Sequence, residues 1–169
     1  MEHLDMALLL LRLWVGSVMF LHGINHGRNL EGTARWFDSV GFKHADANAR
    51  LSSLGEIAIG LSIAAGLLTS FGAAGVAAIM FVAFWSIHRF AGFFVFHRPD
   101  EGYEYVVTLA VVGLALALVG PGSLSVDHVV GIADDLDGLV GGAIFAGGLI
   151  AGYLQTVVLW ERPKKEGTG

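Results

Sequence analysis

Five long apolar runs dominate the sequence and constrain its fold more than any other feature. They cover about residues 6–23, 51–69, 71–90, 103–119 and 139–160. A helix needs about 20 apolar residues to cross the hydrocarbon core of a bilayer, with about 17 at the short end. The runs do not alternate polar and apolar residues, and strands of membrane barrels are near 10 residues long. The sequence therefore predicts an all-α membrane protein with five transmembrane helices.

The overall composition supports this interpretation and excludes several classes of function. Hydrophobic residues make up 54% of the chain and charged residues 15%, whereas a soluble domain carries about 25% charged residues. These values exclude a soluble globular enzyme and a disordered chain, and the net charge of −5 offers no basic face for nucleic acid. Because the chain has no cysteine, disulfides and thiolate metal sites are also excluded. Any redox chemistry would need a bound organic cofactor, a haem or a partner subunit.

The Lys and Arg residues predict how the chain lies in the membrane. With five spans, nine of the ten basic residues fall on one side: Arg28, Arg35, Lys43, Arg50, Arg89, Arg98, Arg162, Lys164 and Lys165. The positive-inside rule places this side in the cytoplasm. The start MEHLD has no positively charged region, and no cleavage site of small residues follows, so the first run is expected to be retained. We expect the N-terminus outside, the C-terminus in the cytoplasm, and a tight hairpin between runs two and three at Ser70.

Polar residues interrupt four of the runs near their cytoplasmic ends. Because successive helices run antiparallel, these residues fall at one depth on one side: His22, His26, Glu56, His88, Tyr103, Glu104 and Tyr105. His22 and His26 also share a helix face, since they are four residues apart. Ionisable residues at membrane depth face the bundle interior by default and mark functional sites. The pattern therefore predicts one shared site.

Four interpretations of this site remain open from the residues alone. One is a quinone headgroup pocket, in which His and Tyr side chains donate hydrogen bonds and Glu56 or Glu104 relays protons. The second is a metal site, in which His22, His26 and His88 supply nitrogen ligands and Glu56 an oxygen ligand. The third is a haem with axial histidines from runs one and three. The fourth is a structural network in which Glu56 pairs with Arg89 or a histidine.

Three further features call for an explanation. Arg12 lies at membrane depth in run one, either as an interfacial anchor or ion pair with an outer Asp, or as a ligand contact. Residues 32–42 carry an amphipathic stripe and predict a short helix on the cytoplasmic face that covers the site. Run five contains two small-residue pairs that favour close packing against a partner helix or within the chain: Gly138 with Gly142, and Gly148 with Gly152.

Several short motifs in a fixed order point to a family. They are LLRLWVGSVMFLHGINH (10–26), GTARWF (32–37), Gly-Glu (55–56), GLSIAAGLLT (60–69), HRFAGFF (88–94), GYEY (102–105) and PGSLSVD (121–127). Together they resemble the DoxX family of small bacterial membrane proteins, and the resemblance covers about residues 8–127. It implies a four-helix membrane bundle over 1–127. Residues 128–169 would then add an acidic outer loop, a fifth helix and a basic tail.

The resemblance also implies a redox role, because related proteins include a subunit of a thiosulfate:quinone oxidoreductase. The family's recurring polar positions match His22, Glu56, His88, Gly102, Glu104 and Tyr105. We therefore expect a bacterial inner-membrane subunit of a quinone-linked redox complex that is not catalytic alone. Its partners would be lipids and other subunits, with a homo-oligomer left open, and the fifth helix would dock to them. The rival interpretations are a non-catalytic scaffold and a small transporter or lipid-binding protein with Glu56 as its coupling group.

Overall fold

The computed structural model describes residues 2–96 and 101–163, and this part of the chain is helical without a β-strand. Its long helices are α1 (Glu2–Arg28), α3 (Ala45–Ala65), α4 (Thr69–Ser86), α5 (Glu104–Val119) and α8 (Gly138–Leu159). Its short helices are α2 (Leu30–Ser39), α6 (Val126–Val129) and α7 (Ala133–Leu136), with a 3-10 turn at His88–Phe90. The prediction of an all-α chain is confirmed.

Three of these helices are long and apolar enough to cross a membrane, namely α1, α4 and α8. Helix α5 is also apolar but has only 16 residues. Helix α3 has 21 residues, yet it carries Asp46, Arg50 and Glu56, which lower its mean hydropathy. The chain is therefore an all-α membrane protein, and its five long helices differ in how well they suit the lipid.

Glycines allow the long helices to approach closely in two groups. In the first group α1 packs on α3, where a Cβ atom on Gly60 would lie 2.6 Å from the carbonyl oxygen of Gly16. In the second group α4 packs on α5 and α8, where a Cβ atom on Gly148 would lie 2.1 Å from the carbonyl oxygen of Ala74. A core that includes Met19, Ile63, Val76 and Leu116 joins the two groups. Helix α8 thus packs directly on the helices of the predicted bundle.

The structure has the hairpin between α3 and α4 and places its turn at residues 66–68, just before Ser70, around which the sequence predicted the break. Gly66 and Leu68 both adopt left-handed backbone conformations, with φ angles of 66° and 50°. The carboxylate of Asp127 then accepts hydrogen bonds from the backbone N–H groups of Leu68 (2.6 Å) and Thr69 (2.8 Å). Asp127, which is 58 positions from Thr69, thereby caps the start of α4. Because the helix begins at Thr69, Ser70 lies inside it.

Most of the basic residues lie at one end of the molecule, which we name the basic end. This end consists of the last turns of α1, α4 and α8, the first turns of α3 and α5, and helix α2. The described Lys and Arg residues at this end are Arg28, Arg35, Lys43, Arg50, Arg89 and Arg162. Arg98, Lys164 and Lys165 lie outside the described residues. The end of α8 is fastened here by an ion pair between Lys43 and Glu161 (2.6 Å) and by the backbone bond from Lys43 to the carbonyl of Leu159 (2.8 Å).

Candidate functional site

A cavity of about 520 Å³ lies at the basic end of the bundle. Its wall is mostly apolar and comes from α1, α2, α3, α4 and α5, with one residue from α8. Polar side chains converge on it from every helix of this wall except α2, and from the segment between α4 and α5: His22, Asn25, His26, Asn48, Ser52, Glu56, Ser86, His88, Glu101, Tyr105 and Gln155. The structure thus gathers in space the polar residues that the sequence could place only at a common depth.

Glu56 is the buried acid of this cavity, with 5% of its side chain exposed. Its Oε1 atom accepts a hydrogen bond from the hydroxyl of Ser52 and lies 3.9 Å from Nε2 of His26. Its Oε2 atom has no hydrogen-bond partner within the described part of the chain. A buried carboxylate oxygen without a partner is costly, because it loses the hydrogen bonds that water would supply. Glu56 therefore offers a free acceptor to whatever occupies the cavity.

His22 and His26 approach Glu56 from α1. One ligand atom from each of these three residues lies within 4.8 Å of the other two. His26 is half-buried because its ring packs near Trp36 and Phe37 of α2, with ring centroids 6.2 Å and 6.4 Å away. His22 is exposed. The two histidines meet the same acid because a spacing of four residues puts them on one face of α1.

His88 uses both of its ring nitrogens inside the protein. Nδ1 lies 2.6 Å from the carbonyl oxygen of Glu101, which can only accept, so Nδ1 carries a proton. In the neutral ring Nε2 then accepts from the hydroxyl of Tyr105, 2.8 Å away. The two rings also meet edge to face, with centroids 5.0 Å apart. His88 therefore orients Tyr105 and, in this arrangement, leaves no nitrogen for a metal or a haem iron.

Tyr103 and Glu104 do not line the cavity, although the sequence grouped them with Tyr105. Tyr103 packs instead against Phe84 and Phe93, with ring centroids 5.3 Å and 5.5 Å away. Glu104 is the first residue of α5. Successive side chains on a helix are rotated by about 100°, so only one of three consecutive residues faces a given site. Five of the seven predicted ligand-binding residues therefore meet at the cavity: His22, His26, Glu56, His88 and Tyr105.

Asn48 and Gln155 are two of the polar wall residues that the sequence analysis did not single out, and they pair with each other. Gln155 of α8 donates a hydrogen bond to Oδ1 of Asn48 (3.1 Å), and Asn48 donates to the carbonyl of Lys43 (2.8 Å). Gln155 interrupts an otherwise apolar run, and that signal could have identified it. The fifth helix therefore contributes directly to the cavity.

The segment predicted over 32–42 overlaps α2, which begins two residues earlier at Leu30, and it lies against the cavity. Trp36, Phe37 and Phe42 all line it. Phe37 and Phe42 also form a small core with Ala34 and Ala49, which fixes α2 on the start of α3. The aromatic face of α2 thus closes part of the basic end.

The sequence comparison agrees with these features. Residues 7–89 match the family model of DoxX. These residues, just under half of the chain, form a DoxX domain. The matched segment runs from α1 to the 3-10 turn, so it contains His22, His26, Glu56 and His88. No curated protein and no solved structure matches the chain.

Arg12 lies in the DoxX segment but not at the cavity. It is completely buried towards the opposite end of α1, where its Nη2 atom donates to the carbonyl of Leu124. Its Nε and Nη1 atoms have no hydrogen-bond partner in the described part of the chain. Neither an exposed interfacial anchor nor a ligand contact in the cavity describes this position. The remaining alternative, an interaction with an outer Asp, describes it better, because Asp127 lies near enough to attract the guanidinium. Arg12 thus connects α1 to the loop between α5 and α8, the loop that includes α6 and Asp127.

The glycines of the fifth helix divide into two groups. Gly148 and Gly152 are buried against Ala74 and Ala78 of α4. Of the two contacts that the sequence left open for this pair, the structure therefore shows the one within this chain, because α4 occupies that face. Gly138 has open space around its Cβ position, and Gly142 faces Leu118 of α5.

Proposed function

We propose that this DoxX protein is an integral membrane subunit of a quinone-linked redox complex and holds a quinone-like headgroup in the cavity. The observation that carries the proposal is the cavity itself, about 520 Å³ in volume, with a mostly apolar wall and a few converging polar groups. Small-molecule sites have volumes of about 300–1,000 Å³ and this same balance of apolar and polar lining. A planar ring with two carbonyl oxygens fits such a site.

The polar groups supply what the two carbonyls of a quinone need. The rings of His22 and His26 can donate hydrogen bonds to them, and the hydroxyl oxygen of Tyr105, whose proton is donated to His88, can accept a hydrogen bond from the reduced ring, the quinol. Reduction of a quinone to a quinol takes up two electrons and two protons. Glu56 lies in the cavity wall and can pass protons to the ring oxygens, while a partner subunit supplies the electrons.

We infer that the basic end faces the cytoplasm of a bacterial cell and that the chain lies in the inner membrane. Its described Lys and Arg residues gather at that end, apart from Arg12. An excess of these residues marks cytoplasmic segments of membrane proteins. The N-terminus then lies outside, and the protons for the ring come from the cytoplasmic side.

Quinone binding can be tested with the full chain purified without its metal ions in a mild detergent. Lipid extraction should recover a quinone, and a short-chain quinone analogue should quench the tryptophan fluorescence, since Trp36 lines the cavity. Tyr105→Phe should weaken binding of the reduced analogue, the quinol, about five- to tenfold, because one hydrogen bond contributes about 1 kcal/mol. Tyr153→Phe is the matched control, because Tyr153 is half exposed on α8 and does not line the cavity.

The outcomes separate the rival functions. Saturable binding that Tyr105→Phe weakens and Tyr153→Phe does not would support the quinone site. A protein that binds no quinone, yet copurifies with a redox enzyme, would be a scaffold. A protein that binds no quinone and no partner, but takes up phospholipid in the cavity, would be a lipid-binding protein. Either of the last two results would overturn the proposal.

A further inference from the structure

We propose that His22, His26 and Glu56 form a binding site for one divalent transition-metal ion at the α1–α3 wall of the cavity. Among the described residues these three form a group whose possible ligand atoms all lie within 4.8 Å of one another. They come from two helices that glycines hold in close contact, so their spacing is fixed by the backbone. This inference goes beyond the proposed function and does not depend on the quinone.

The separation of the three ligand atoms suits a metal ion after a small movement. Three atoms that are at most 4.8 Å apart always leave a point that lies within about 2.8 Å of all three. Zinc–nitrogen and zinc–oxygen bonds are about 2.0–2.2 Å long. Each ligand atom therefore has to move inwards by less than about 1 Å, which a side-chain rotation achieves without a shift of either helix.

The type of the ligands also favours a metal over a simple ion pair. Two imidazoles and one carboxylate, with an open fourth position, form the ligand set of catalytic zinc sites and of non-haem Fe(II) sites. An ion pair would need only one histidine, and His26 and Glu56 lie 3.9 Å apart, which is long for a hydrogen bond. The third ligand, His22, has no role in such a pair.

Glu56 provides an independent observation that points to a ligand. It is 4% exposed, and its Oε2 atom lacks a hydrogen-bond partner in the described part of the chain. A bound cation would satisfy this oxygen. Ser52 already donates to the other oxygen and so fixes the orientation of the carboxylate, as groups around metal ligands commonly do.

The site differs from a set of three histidines. Both nitrogens of His88 are engaged, one near the carbonyl of Glu101 and one near the hydroxyl of Tyr105. His88 can therefore orient Tyr105 while His22, His26 and Glu56 bind the metal ion. His22, His26 and Glu56 all line the cavity, so water or a small oxygen ligand from the cavity can complete the coordination.

Metal binding is tested on the full chain purified without a histidine tag, stripped with a chelator and freed of quinone by detergent washing. Titration with Co²⁺ should give visible absorption bands typical of a coordinated ion, with one equivalent bound and Zn²⁺ able to displace it. His22→Gln is the decisive variant, because His22 is exposed and its replacement leaves the core intact. It should weaken Co²⁺ binding at least about tenfold, as should His26→Gln and Glu56→Gln.

His128→Gln is the matched control, since His128 is exposed near the other end of the bundle. Its Co²⁺ affinity should stay within about twofold of the unmodified protein. Absence of a saturable cobalt spectrum, or equal affinity in His22→Gln and His128→Gln, would refute the metal site. Because the quinone titration uses metal-free protein, its result does not change with this outcome, and failure of one proposal leaves the other standing.

Discussion

Asp127 offers the sharpest test of how this bundle is held together. Its side chain is 1% exposed and accepts three hydrogen bonds: one from the N–H of Leu68 (2.6 Å), one from the N–H of Thr69 (2.8 Å) and one from the hydroxyl of Thr69 (2.8 Å). Asp127 lies in the one-turn helix α6, within the loop that connects α5 to α8. It therefore caps α4 from a position more than 50 residues away in the sequence. Asp127→Ala should destabilise the whole fold, because it uncaps α4 and releases the loop together.

The cost of Asp127→Ala can be worked out from these contacts. A hydrogen bond to a charged group contributes about 1.5–3 kcal/mol, and loss of a helix cap costs about 1 kcal/mol. The three bonds share one carboxylate and are not additive, so we expect a loss of about 3–5 kcal/mol in the free energy of unfolding. Asp127→Asn keeps one acceptor oxygen and should lose about half as much.

The assay is reversible unfolding by SDS in mixed micelles, followed by circular dichroism. Asp135→Ala serves as the control, because Asp135 is an exposed acid of the neighbouring helix α7. The expected order of stability is unmodified protein and Asp135→Ala, then Asp127→Asn, then Asp127→Ala. If Asp127→Ala unfolds within about 0.5 kcal/mol of the control, the loop does not cap α4 and the reasoning is wrong.

Three further predictions concern packing and the site. Gly148→Ala should destabilise the bundle by about 1–3 kcal/mol, because its Cβ atom would clash with the backbone of Ala74. Gly147→Ala is the control and should not destabilise it, because the Cβ position of Gly147 lies in open space. SDS unfolding compares the two variants. Lys43→Ala should cost less than about 1 kcal/mol in the same assay, because its ion pair with Glu161 is largely exposed; a larger loss would contradict this. His88→Phe should weaken binding of the reduced quinone analogue about as much as Tyr105→Phe does, because His88 acts by orienting Tyr105. The double variant should bind only slightly more weakly than either single variant in a fluorescence titration. Additive losses of affinity would mean that His88 contacts the ligand itself.

The candidate site was predictable from the sequence only in part. The depth argument selected His22, His26 and Glu56, because antiparallel helices of similar length bring their corresponding ends to one level. It could not tell which of Tyr103, Glu104 and Tyr105 faces inwards, since that depends on the rotation of α5. It also passed over Gln155, because nothing local shows that α8 reaches the cavity.

The sequence by itself determined the class of the protein and the residues that form its helices, because apolar runs of membrane length have few other ways to satisfy their backbone. It also determined which polar residues lie together at one end. Only the tertiary structure decided the start of α4, the burial of Arg12 and the partners of Gly148 and Gly152. Those features depend on contacts between residues far apart in the chain, such as Asp127 with Thr69. Such contacts form when whole helices pack, and local sequence patterns do not encode them.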